Sequence, residues 1–397
     1  MSKGILDGIV VLDLTRVLAG PYAAMLLADM GATVYKIEMP KKGDDSRAFG
    51  PFINGESAYY MNLNRNKYGV TLNLKSPEGK EIFKDMVKKA DVILENYRPG
   101  TMEKLGLGYD TLKEINPGIV YGCVSGFGHY GPYSQRAGYD IIAQAMGGLM
   151  STTGWPEGGP TRTGTAMGDV LGGLGCTIGV LAAVVNKVRT GEGQKVDVSL
   201  VDSVVSSLEI ITQIYLATGR VPGRIGNRYE SAYPYDSFSA KDGDVIIGCG
   251  NDKLYELLVE AMEQPELLSD ERFKTNALRV QNHKELKVII EKWTTQYEID
   301  EIVDCLLDKG VPSCPINTID RLVKDPHIAD AREMFVEVEH PVAGKTTLTG
   351  DHIKFSEKKS SIRTPAPILG QHNFEVYEEL VGLTREQIEE YMEKGVL

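Results

Sequence analysis

The chain has 397 residues, with 43 Lys and Arg against 55 Asp and Glu, a formal net charge of −12. Hydrophobic residues make up 42% and charged residues 25%, which excludes disorder over most of the length and leaves material for about two or three cores. The acidic balance excludes a general binder of nucleic acid or anionic membrane, and the apolar stretch 173–185 is broken by glycines and Thr177, too short for a membrane span.

In chain order, a β-branched run over 9–13 predicts a strand, and 21–30 a helix with Pro21 in its first turn. A strand over 33–37, a helix over 77–89, and strands over 91–94 and 119–123 follow. Residues 139–150 and 170–188 read as helices, and 196–199 as a strand leading into a helix over 200–217. Strands separated by helices imply a mostly parallel, doubly wound sheet. A turn-rich break at 219–227 precedes a strand over 244–248 and amphipathic helices near 254–262, 284–293 and 302–307. The tail carries strands over 334–338 and 346–348 and a terminal helix over 385–394. The expected division is a large α/β domain over 1–200, a linker over 201–227, a small α/β domain over 228–325 and a returning segment over 326–397.

The five cysteines (Cys123, Cys176, Cys249, Cys305, Cys314) form no C-x-x-C pair. That excludes a disulfide framework and a thiolate zinc site and fits a reducing, cytoplasmic setting. The first residues lack the apolar core of a signal peptide. Other chemistries drop out in turn. There is no G-x-x-x-x-G-K-[ST], the G-x-G candidates at Gly106 and Gly173 lack the third glycine, and G-x-S-x-G is absent. The six histidines form no H-x-x-x-H pair, and only His129 lies in the glycine-rich middle of the N-terminal half. Carboxylate, hydroxyl and backbone-amide chemistry remain.

Four pieces of that glycine-rich region stand out: 125–133 just past a strand end, Gly138-Tyr-Asp140, 153–162, and Gly164-Thr-Ala-Met-Gly-Asp169. Asp169 is open to two readings, as the N-cap of a helix beginning at Val170 or as a carboxylate nucleophile toward an activated acyl group. Residues 1–104 hold 15 basic and 13 acidic side chains, and the other 293 hold 28 and 42. Arg16, Lys36, Arg47, Arg65, Lys67, Lys75, Arg98 and Lys104 fall at strand ends or in the connections beyond them. Cations at the carboxyl edge of a parallel sheet suit a phosphate-bearing ligand, and solvated surface charge is the plainer alternative.

Taken together, Val11-Leu-Asp-Leu-Thr-Arg-Val-Leu-Ala-Gly-Pro-Tyr22, Asp29-Met-Gly-Ala-Thr-Val-Tyr-Lys-Ile-Glu38, Asn64-Arg-Asn-Lys67 and Glu95-Asn-Tyr-Arg-Pro-Gly100 resemble the class III CoA-transferases. Ser125-Gly-Phe-Gly, Gly138-Tyr-Asp140, Gly168-Asp169, the run 190–198 and Ala366-Pro-Ile-Leu-Gly-Gln-His372 extend the resemblance over essentially the whole chain. It implies a Rossmann-like large domain with a small α/β domain, a C-terminal segment returning to the large domain, and an interlocked homodimer. It also implies an Asp169 nucleophile that forms a mixed anhydride with the acyl group of a coenzyme A thioester. Arg16, Lys75, Asn96, Arg98 and Lys104 match positions that bind the CoA nucleotide, with Tyr139 and Asp140 beside the reaction centre. Coenzyme A enters as a substrate, with no resident cofactor or metal, and a free carboxylic acid accepts it.

Acyl-CoA racemases and non-catalytic CoA binders are the alternatives. Racemases of this group typically carry histidine where Tyr139 stands, and a phenol with pKa near 10 is a poor proton shuttle at neutral pH. Leu18 in place of a glutamine, and Tyr229-Glu-Ser-Ala-Tyr-Pro234 with no glycine run after it, depart from the formyl and oxalate enzymes. They point to a larger acceptor, a 2-hydroxy or unsaturated carboxylic acid. Phe49, Tyr59, Tyr60 and Tyr139 are its expected lining, with plain core as the other reading.

Overall fold

The computed structural model describes residues 4–397. It divides into two compact units, Met1–Leu149 with Arg162–Gln213 and Pro326–Leu397, and Met150–Thr161 with Ile214–Asp325.

The first unit is built on six parallel strands in the order β5-β2-β1-β6-β7-β8. These are β1 (Val10–Asp13), β2 (Thr33–Glu38), β5 (Lys67–Thr71), β6 (Val92–Glu95), β7 (Val120–Ser125) and β8 (Lys195–Ser199); β3 (Phe52–Ile53) and β4 (Glu56–Ser57) form a small hairpin before β5. The chain runs outward from β1 through β2 to β5, then restarts at β6 on the other side. The order therefore reverses between β1 and β6, and in open α/β sheets a ligand crevice opens at that point, beyond the strand ends.

Side chains alternate between the two sheet faces. Leu12, Tyr35, Val70, Ile93 and Tyr121 pack in one core, and Val11, Val34, Val92 and Val120 in another, with the Ala19–Asp29 helix. The Met167–Thr190 helix covers that second face. It is long and apolar enough to cross a membrane, but Gly172, Gly173, Cys176, Val180 and Ala183 are buried in the core. Its glycines are contact points: a Cβ on Gly173 would lie 2.6 Å from the Ala19 carbonyl oxygen.

On the same face, at the strand ends, sit charges with no access to water. Lys67 Nζ donates to Asp13 Oδ2 at 2.9 Å and Lys36 Nζ to Asp44 Oδ2 at 2.8 Å, and all four side chains are 0% exposed. Burial lowers the Lys67 ammonium to about 8 despite Asp13, with Lys36 adding to the effect. Burial would raise Asp44, but Lys36 and the Ser46 amide and hydroxyl outweigh it and hold the carboxyl far below its ordinary range.

Several elements differ from the expectation. The segment holding Arg65 and Lys67 is not a solvated connection. Lys67 opens β5, and Arg65 is buried on Asp29 at 2.7 Å. The 139–150 helix is interrupted at Gly147 and Gly148, between Asp140–Met146 and Leu149–Thr152. The 200–217 helix breaks at Glu209, whose φ is +51°, into Leu200–Ser206 and Ile210–Thr218.

Residues 326–397 lie in the first unit, where β12 (Phe335–His340) pairs with β13 (Gly344–Thr349). The chain then covers the β5 edge, which would otherwise present unpaired backbone groups. Gly69 N donates to His372 Nδ1, Thr71 N to Asn373 Oδ1, and Tyr377 Oη to the Thr71 carbonyl.

The second unit holds a three-stranded antiparallel sheet of β9 (Tyr235–Ser239), β10 (Asp244–Gly248) and β11 (Ser313–Pro315), packed with helices Asp252–Ala261, His283–Thr294 and Ile299–Asp308 around Phe238, Ile247, Leu258, Leu286 and Ile302.

Replacing Lys67 by Met should cost about 3–5 kcal/mol, the penalty for leaving a buried charge without its partner. Urea unfolding measures it, and an unchanged midpoint would refute the dependence on this ion pair.

Candidate active site

A cavity of about 220 Å³ opens at the switch point. Its walls come from the turn after β1 (Arg16–Ala19), the turn after β6 (Asn96–Pro99) and the end of β7 (Ser125, Gly126), with Arg136, Tyr139, Asp140 and Asp169 around it. A second cavity of about 350 Å³ shares Arg16 and Tyr97, has Leu72, Leu74, Met39 and Leu105 as apolar surface, and carries Lys42 and Lys75.

Asp169 is the third residue of the Met167–Thr190 helix, whose N-cap is Ala166. It is therefore not the cap. That function falls to Asp140, whose Oδ1 accepts from Gly168 N at 2.8 Å. Asp140 Oδ2 accepts from Gln144, and the buried Gln144 amide also holds Thr163 and Thr165, fixing the approach to the helix. The Gly168 amide is therefore occupied by this bond and does not face the cavity as a free donor.

With the cap supplied from elsewhere, the Asp169 carboxylate accepts no hydrogen bond among the described residues. Burial and then the neighbouring Asp140 push its pKa up to about 7. Burial, Asp169 and Asp44 in turn raise the Tyr59 phenol to about 12, which puts Tyr59 within electrostatic reach of Asp169.

The cations sort into two groups. Lys36, Arg65 and Lys67 are buried in ion pairs, and Arg47 lies on Glu38 at 2.7 Å. Arg16 is exposed, pairs with Asp45 at 3.0 Å and stacks on Tyr97 at 5.5 Å. Arg98 and Arg136 have no ion-pair partner among the described residues, and both line the Asp169 cavity. Lys104 is exposed on the Thr101–Leu105 helix and lines neither cavity.

Of the expected aromatic lining, Tyr139 lines the Asp169 cavity and is 75% exposed. Phe49 and Tyr59 pack edge to face at 5.8 Å. Tyr60 is core, its hydroxyl donating to Glu38 and accepting from Arg47.

The turn after β1 is the part that sequence reasoning missed. Arg16 N donates to Asn96 Oδ1 at 2.8 Å, and Asn96 Nδ2 donates to the Arg16 carbonyl at 2.7 Å. Val17 then takes φ +68°, a region β-branched residues avoid, and its amide donates to Asp44 Oδ1 at 3.1 Å. The loop after β7 closes on itself: a Cβ on Gly126 would lie 2.5 Å from Gly138 Cα, so only glycine fits at either position.

Glu95, Cys123 and His129 bring three potential metal-ligand atoms within 4.8 Å of one another. Burial pushes Glu95 up to about 7, against the opposing pull of the Tyr97 amide. Lys195 Nζ lies 3.0 Å from His129 Nδ1. An ammonium there takes the Nδ1 lone pair and leaves the proton on Nε2, which unsuits that nitrogen for a cation.

The strand-end crevice thus sets a hydrogen-bond-free carboxylate beside arginines, with an apolar side cavity that carries lysines. The chain belongs to CoA-transferase family III, whose model matches residues 6–373. Among its relatives, the succinyl-CoA:glutarate CoA-transferase of Homo sapiens is 39% identical, covering 99% of this chain and 90% of that protein. The succinyl-CoA:mesaconate CoA-transferase of Haloarcula marismortui is 42% identical, covering 95% and 96%. A CaiB/BaiF family protein from Brucella suis has the same fold, with a TM-score of 0.85 at 38% identity over 96% of this chain and 100% of the other.

The raised Asp169 pKa has a stability consequence. Folding favours the protonated acid, so this contribution is complete below about pH 4 and is lost as pH rises through about 7. Asp169→Asn should therefore melt above wild type at pH 8, with the gap narrowing as pH falls toward 4. A gap independent of pH would contradict the assignment.

Proposed function

We propose that this protein moves coenzyme A from an acyl-CoA donor to a free organic acid, with Asp169 as the covalent nucleophile. The observation that carries this reading is the carboxylate without a hydrogen bond, set in a crevice lined by Arg16, Arg98 and Arg136. A carboxylate whose lone pairs are not engaged is free to attack.

An Asp169 oxygen adds to the thioester carbonyl, the carbon–sulfur bond breaks, and CoA leaves as thiolate. The product is a mixed anhydride of the donor acid and Asp169. The thiolate attacks the aspartyl carbonyl of that anhydride, releasing the donor acid and leaving an aspartyl-CoA thioester. The acceptor carboxylate attacks the aspartyl carbonyl of this thioester, the carbon–sulfur bond breaks to free the CoA thiolate, and a new anhydride forms. Thiolate then attacks the acceptor's carbonyl, giving acceptor-CoA and restoring the Asp169 carboxylate. Each step exchanges one activated carboxyl for another, so the cycle needs neither ATP nor a resident cofactor.

The second cavity suits the nucleotide, with apolar contacts for a base and Arg16, Lys42 and Lys75 for phosphates. Arg98 belongs with this binding set, and Tyr139 and Asp140 flank the acyl group. The electrostatic influence of Asp169 on Tyr59, with Phe49 packed against it, supports an acid-side role for both rings. Relatives are named for glutarate, mesaconate and oxalate alike, so the larger acceptor rests on Leu18 and on the missing glycine run after Pro234. Exposed Ile178, Val185 and Val188 on the Met167–Thr190 helix support a homodimer, interlocked as the resemblance implies. Free cysteines throughout support the cytoplasmic placement.

The test is exchange between a set of acyl-CoA thioesters and isotope-labelled free acids, without ATP, read by mass spectrometry. Label should enter the thioester pool, and Asp169→Ala should abolish entry while still binding CoA. Normal turnover by that variant would sink the anhydride route. Arg98→Ala should raise KM for the donor about tenfold with a smaller change in kcat, as for the loss of a charge-assisted contact. For wild type, kcat/KM should climb with pH through about 7 as Asp169 ionises, and a flat profile would mean that Asp169 is already ionised in the free enzyme, against its raised pKa.

A further inference from the structure

The resemblance places Asn96 among the residues that bind CoA, but its carboxamide is turned onto the backbone of this chain. Between β1 and β6 the last main-chain rung is Leu14 N to the Leu94 carbonyl, at 2.9 Å. Beyond it the strands part, one toward Val17 and the other toward Pro99. There the Asn96 side chain takes the place of a peptide, accepting from Arg16 N and donating to the Arg16 carbonyl. Asp44 holds the next amide, that of Val17, in its left-handed conformation. The Arg16 side chain leaves this bracket as the one cation common to both cavities, over Tyr97 and against Asp45.

We infer that Asn96 is a positioning residue: its carboxamide extends the β1–β6 ladder by one rung and fixes the Arg16 peptide, so that the guanidinium stays at the junction of the two cavities. This rests on reading those cavities as the acyl-CoA site. Without the bracket, the two Arg16 backbone groups turn to solvent, and the single Asp44 bond is left to oppose Val17 returning to negative φ, the less strained region. The guanidinium then loses its fixed origin, and the cost falls on binding the CoA donor.

A double-mutant cycle on the full-length protein separates this role from direct contact with CoA. Asn96→Ala and Arg16→Ala should each raise KM for the acyl-CoA donor about tenfold with a smaller change in kcat, and the double variant should stay within about twofold of Arg16→Ala, because residues acting through one another are not additive. Asn96→Asp, which keeps the acceptor and loses the donor, should fall between wild type and Asn96→Ala. Additive losses in the double variant would overturn the inference and make Asn96 a direct CoA contact. The crystal structure of Asn96→Ala gives a readout that needs no substrate: Val17 at negative φ supports the bracket, and an unmoved Val17 overturns it. A wild-type protein that transfers no CoA, in a chain whose Asn96→Ala variant releases Val17, would sink the functional reading while upholding the bracket.

Discussion

The site depends on a pair of buried ion pairs that cannot be half made. Lys36 and Lys67 lie with Asp13 and Asp44 in a volume closed to water, where an unpaired charge costs several kcal/mol. Each group therefore has one acceptable arrangement, and that arrangement reaches outward. Lys36 also donates to the Thr15 carbonyl, and the second oxygen of Asp44 accepts from Ser46 and Val17. The turn that walls the Asp169 cavity is thus positioned from beneath by buried charges. A hydrophobic replacement of similar volume could hold the strands together, but it would offer the turn no acceptor.

The large sheet was legible because most of its strands are short β-branched runs between helices. β5 was not: it begins with Lys67 and contains Gly69, a composition that reads as loop until Asp13 is seen to neutralise the lysine inside the core. The same confusion affects the cations. A lysine at the end of a strand looks alike in sequence whether it faces a phosphate or an aspartate, and only tertiary contacts assign Lys36 and Arg65 to the second use. Arg16 and Arg98 stand in the turns after their strands, and both line the Asp169 cavity.

Asp169 shows a different limit. Sequence proximity made it a plausible cap for its own helix, since a cap is normally the residue that precedes the first turn. The donor is instead satisfied by Asp140, 28 residues earlier. That substitution separates two demands that a single carboxylate meets poorly, because a group already accepting bonds from a helix terminus is stabilised and blunted as a nucleophile. The cost appears in electrostatics. Burial, and then the carboxylate of Asp140 close by, disfavour the charge on Asp169. Val17 lies beyond sequence reasoning for another reason, since its left-handed backbone is imposed by Asn96 and Asp44 against the residue's own preference.

The contact between Gly126 and Gly138 carries an evolutionary consequence. The chain departs and returns at one point, so Ser125 on one side and Tyr139 on the other are located by the glycine contact rather than by what lies between them. Closing a longer loop adds only about 0.6 kcal/mol for each doubling of length. Apart from His129, held by Asp197 and Lys195, and Arg136, which lines the cavity, the intervening segment can thus change length or sequence while both flanks stay registered. A lineage can therefore vary that segment while the two ends of the loop keep their places.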